Sequence, residues 1–120
     1  MNLEPLALEL FTRAYKECAL WTEEEEIDTS LYFNTETLLK MNNDCKKFVE
    51  QAGDLLDDWF ASDAGHDFWL TRNGHGAGFW DRETSTGETS TEDNRTALSK
   101  LASSFGESTL YENDGEIHCG

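Results

Sequence analysis

Two long stretches whose apolar residues recur at a helical period constrain this chain more than any other feature. In the first, Leu3, Leu6, Ala7, Leu10, Phe11, Ala14, Tyr15 and Cys18 follow one another at alternating steps of three and one. Such steps draw one stripe along a helix. Pro5 is tolerated at its start because first-turn amides have no helical acceptor, and Asn2 is placed to cap it. The spacing predicts an end near Trp21. In the second stretch, Leu38, Met41, Cys45, Phe48, Val49, Ala52, Leu55, Leu56 and Trp59 hold the period for about six turns. That helix begins near Asn34 or Thr35. Gly53 weakens it by about 1 kcal/mol relative to alanine and predicts a kink or break. Gly65 is the candidate left-handed residue that closes it.

The segment "HDFWLTRNGHGAGFWDR", residues 66–82, reads differently. Asn-Gly between two aromatic-rich runs is a strong short hairpin signal, because both residues tolerate positive φ. Strands are expected at 67–72 and 77–82, with the turn at Asn73 to Gly76. Two registers fit, one setting Phe68 opposite Phe79 and the other Trp69 opposite Trp80. After a polar segment, Thr89 and Glu92 match a capping box. Ala97, Leu98, Leu101, Ala102 and Phe105 then form the apolar face of a third helix, stopped by Gly106. "STLYENDGEIHCG" reads as a second hairpin turning at Asn113 to Gly115. The expected architecture is one α+β domain over residues 1–120. Three helices pack on a small antiparallel sheet made of two hairpins, with mobile loops near 22–34 and 82–91.

Charge narrows the function. Against 25 acidic residues stand 9 basic ones, a formal net charge of −16. Such a chain repels nucleic acid and anionic membranes and attracts basic partners. The same charge also serves solubility alone. No apolar run approaches a membrane span, and the amino terminus lacks the order of a signal peptide. Three cysteines without a CxxC pair, two of them on apolar helical faces, read as buried thiols in a reducing compartment. The expectation is a cytoplasmic protein.

The candidate chemistry is sparse. A metal site or small enzyme would use His66, Asp67 and His75, yet the spacing of His66 and His75 matches no closed zinc pattern. "NGHGAG" leads into an expected strand rather than a helix, unlike a phosphate-cradling loop. No serine sits in a nucleophile elbow. Neither cofactor nor metal is expected. Two contact surfaces remain. An acidic face would combine Glu23, Glu24, Glu25 and Glu26 with Asp54, Asp57 and Asp58, provided that Lys40, Lys46 and Lys47 do not interrupt it. At 100° per residue Lys47 lies almost in line with Asp54. The aromatic hairpin would offer Trp69, Trp80, Arg72 and His75, since alternation leaves one face of rings exposed.

Residues 66–82, together with the opening "LEPLALELFTRAYKECALW", resemble a family of small uncharacterised proteins encoded in tailed-phage and prophage genomes. The resemblance covers under half of the chain and carries no catalytic residue. It implies expression in an infected bacterial cell. The expected function is that of a phage-encoded interaction protein. It would bind and modulate a basic host or phage protein that handles nucleic acid, through charge mimicry and without binding nucleic acid itself. The alternatives are the His66, Asp67, His75 enzyme or metal protein, and a housekeeping phage component without mimicry.

Overall fold

The computed structural model describes residues 4–74, 78–79 and 92–120. The elements run α1 (Pro5–Thr22), α2 (Thr35–Ala52), a 3₁₀ turn (Gly53–Leu56), α3 (Ala61–Arg72), α4 (Glu92–Ser104), β1 (Leu110–Asn113) and β2 (Glu116–Cys119). The protein is mainly helical, with four helices and one small antiparallel hairpin among the described residues.

Both long apolar stripes fold as helices. In α1 proline occupies the first turn behind Glu4, while the expected cap Asn2 lies outside the described residues. Asn34 caps α2, its side-chain oxygen accepting from the amides of Glu36 and Thr37 at 3.0 and 3.4 Å. Gly53 ends α2 with φ of 50°. The chain then tightens into the 3₁₀ turn, so Leu56 and Trp59 reach the core from outside the helix.

The first hairpin is not formed. Residues 67–72, expected as a strand, are the last half of α3. Ala64, Gly65, Asp67, Phe68, Trp69, Leu70 and Arg72 are all buried in it. A helix buried on nearly every side has no amphipathic stripe, so its period is invisible in the sequence. Asn-Gly does supply positive φ, at Gly74 with 70°, but that backbone ends a helix instead of turning a ribbon. Gly78 and Phe79 lie in a bend and turn, and the remainder of the second expected strand lies outside the described residues.

Gly65 has another role than the expected helix stop. It sits inside α3, where a Cβ would stand 2.0 Å from the Phe11 carbonyl oxygen. Its missing side chain lets α1 and α3 touch backbone to backbone. Over that contact Phe48 and Phe68 stack at 4.2 Å between centroids, and Tyr15, Trp69, Phe79 and Phe105 close around them. Asn94 of α4 ties down the 3₁₀ turn, accepting from Trp59 Nε1 at 3.1 Å and donating to Leu55 O at 2.8 Å. The capping partner expected for this helix, Thr89, lies outside the described residues.

The C-terminal hairpin forms at the expected place. Leu110 pairs with Cys119 and Asn113 with Glu116, across a turn in which Asp114 and Gly115 both have positive φ. The hairpin docks beside the start of α2. Asn34 N donates to Ile117 O at 2.8 Å, Ile117 N to Tyr32 O at 2.9 Å, and Cys119 N to Thr37 Oγ1 at 3.1 Å.

Candidate acidic interaction surface

Trp69 and Arg72, expected on an exposed aromatic ribbon, are structural residues. Trp69 is wholly buried, its indole donating to Thr22 Oγ1 at 2.8 Å. Arg72 spends its donors on four acceptors: Gly106 O at 2.8 Å, Tyr15 Oη at 2.9 Å, Asp44 Oδ2 at 2.9 Å and Phe105 O at 3.1 Å. Burial opposes its charge, but the Tyr15 and Asp44 oxygens outweigh that and hold its pKa above the ordinary value. Burial likewise pushes the Tyr15 hydroxyl upward, more than Arg72 pulls it down. A guanidinium so committed is unavailable to a partner. Trp80 and His75 lie outside the described residues.

Of the residues of the enzyme or metal alternative, His66 and Asp67 are described and His75 is not. His66 Nδ1 lies 3.4 Å from the Oδ1 of its neighbour Asp67, which is almost fully buried. Among the described residues no group of three or more His, Cys, Asp or Glu side chains is placed to hold a metal ion. None of the described helices is long and apolar enough to cross a membrane.

The acidic residues are arranged in a way their sequence order conceals. Segments 17–39, 48–71 and 101–120 contain no lysine or arginine. The docking of the hairpin beside the start of α2 joins the first of these segments to the third. Glu112 of β1 accepts from the Asp28 amide, which anchors the loop carrying Glu23–Glu26 to the hairpin. Asp28 is held below the usual carboxylate range by hydrogen bonds from the Ser30 hydroxyl and amide, at 2.6 and 3.0 Å. Glu23–Glu26, Asp28, Glu36, Glu112, Asp114 and Glu116 thus belong to one end of the molecule; neither segment contributes a lysine or arginine there, and Lys40 stands one turn along α2 from Glu36. Two exposed rings share this acidic pole, Tyr32 at 86% and Tyr111 at 47% exposure.

Asp54, Asp57 and Asp58 sit elsewhere. They follow the far end of α2, an 18-residue helix and hence about 27 Å from its start. Because α2 stops at Ala52, the helical register that aligned Lys47 with Asp54 does not extend to that aspartate. Five of the nine lysines and arginines lie on α1 and α2. Arg13, Lys16 and Lys46 line an open groove of about 700 Å³ between those helices. On the other flank of α1, a notch of about 370 Å³ opens toward α3 beside Trp21 and His66.

The sequence carried a signal for the pole that local reading missed, namely the long stretches without lysine or arginine. Which of them adjoin is decided by the hairpin, whose docking partner has no sequence mark. Comparison with protein-family models, curated proteins and solved structures gives no match to the chain.

Proposed function

We propose that this protein is a non-enzymatic interaction protein whose acidic pole engages a basic surface of a protein that handles nucleic acid. The observation that supports this reading is the joining of two segments free of lysine and arginine, with the Glu23–Glu26 loop anchored to Glu112. A nucleic-acid groove is lined with cations that meet about one negative charge per 1.7 Å of duplex. A cluster of carboxylates from two segments without lysine or arginine, flanked by tyrosines, offers such a groove charge and stacking surface together. The resemblance of residues 66–82 to phage-encoded proteins favours a partner in a bacterial cell. Asp54, Asp57 and Asp58 form a separate acidic end with no required part in that contact.

Affinity capture from infected bacterial lysate, followed by competition with duplex DNA, tests the reading. The expected partner is a nucleic-acid-binding protein whose capture falls with rising salt and with DNA. Replacing Glu23–Glu26 by glutamine should weaken capture about tenfold or more at low salt. Retention of an unchanged partner by that variant at every salt concentration would overturn the role of the pole.

A further inference from the structure

The outward face of α1 carries an apolar stripe, interrupted by the exposed Glu17 and bordered by the exposed Arg13, and the described fold leaves it uncovered. Relative to Leu10, Leu6, Ala14 and Trp21 lie within about 40° on the helix, a stripe roughly 22 Å long. Leu6 is 66%, Leu10 41% and Trp21 60% exposed. Of the sequence stripe that includes Leu6, Leu10 and Ala14, only Phe11, Tyr15 and Cys18 are buried among the described residues. At its C-terminal end the exposed stripe runs into the notch between α1 and α3. Ala14, Cys18 and Trp21 supply its apolar lining, and Glu17, Asp63 and His66 its polar lining. His66 stacks against the Trp21 ring at 6.1 Å between centroids. No lysine or arginine lines the notch, and Glu23–Glu26 follow Trp21 within two residues.

We infer that this stripe and notch receive an amphipathic helix of the basic partner, with one arginine or lysine of that helix entering the notch. Leu6, Leu10, Ala14 and Trp21 together mark a track about four turns long, the form in which a helix presents its i, i+4 residues to a complementary face. A cation in the notch meets the Trp21 ring and the Glu17 carboxylate together, combining cation–π attraction with a charged pair. Charge complementarity selects this occupant over a second copy of the chain. A second copy carries the same net charge of −16, which opposes its approach to this face. The inference rests on the reading of a basic partner, but its residues differ from those of the pole.

The full chain, titrated with a synthetic amphipathic helix of about 20 residues carrying a leucine stripe and flanking arginines, tests this docking. A scrambled peptide of the same composition is the control. Binding is followed by the anisotropy of the labelled peptide and by the Trp21 indole N–H resonance. The striped peptide should move that resonance and bind at least tenfold more tightly than the scrambled one. Trp21→Ala and Leu10→Gln should each remove most of that preference. Glu17→Gln should weaken binding several-fold at low salt and less at high salt. Equal binding of the two peptides, an unmoved indole, or a dimer that disappears in Trp21→Ala would each overturn the inference. Lysate capture separates the two surfaces. Loss of the partner in the Glu23–Glu26 variant with full retention by Trp21→Ala sinks the stripe alone. The reverse pattern sinks the pole alone.

Discussion

Arg72 and Gly65 hold this fold together by opposite means, one through what its side chain reaches and the other through having none. Arg72→Met would strand the Asp44 carboxylate and two backbone carbonyls, and should cost about 3 kcal/mol in urea denaturation. Arg72→Lys should recover only part of that, because a single ammonium cannot reach the same four acceptors. Gly65→Ala drives a methyl into the Phe11 carbonyl and should cost several kcal/mol, on the order of the larger core defects. Gly74→Val meets no neighbour within 4 Å but must hold positive φ, so about 1–2 kcal/mol is expected. The thiols make a third test. Burial, and then the nearby Asp67 charge, raise Cys18 to about 12, and burial raises Cys45 in the same direction. Below the pKa of the unfolded thiol, 9.0, this contribution is intact; it is lost as pH climbs from there toward 12. The urea midpoint should therefore fall steadily above pH 9, while native alkylation at pH 8 reaches Cys119 well before Cys18 or Cys45.

At the scale of elements, legibility followed amphipathicity. α1 and α2 each show one face to the core and one to water, so their apolar spacing announces them. The second hairpin was legible because Asn-Asp-Gly must turn wherever it stands between β-compatible residues. α3 was not, because its neighbours bury it on nearly all sides and erase the period. The run Phe68-Trp69-Leu70 then looks equally like a strand, and Asn73-Gly74 suits either ending. The candidate surface was half legible. Glu23–Glu26 were identifiable as exposed carboxylates, but the junction of their loop with Glu112 is made by Asp28, 84 positions away in the sequence. The junction itself can be tested. Glu112→Gln keeps an acceptor for the Asp28 amide, whereas Glu112→Ala removes it. Amide hydrogen exchange at Asp28 should accelerate in the alanine variant and stay near that of the parent in the glutamine one.

For the molecule as a whole, a net charge of −16 sets self-repulsion against a modest core. The melting temperature should rise by several degrees between roughly 20 mM and 500 mM sodium chloride, as screening relieves crowding at the acidic pole. A chain without such crowding would show little change. The connections of Arg72 bear on how the molecule is made. Its acceptors come from residue 15, residue 44 and residues 105–106, so the side chain is fully satisfied only when nearly the whole chain is present. During vectorial synthesis on the ribosome, α1, α2 and α3 emerge with a guanidinium facing their shared interior and half its acceptors still untranslated. Those three helices should remain a loose, protease-sensitive assembly until Phe105 and Gly106 appear. Completion of α4 would then turn a fluid nascent chain into a native one in a single late step.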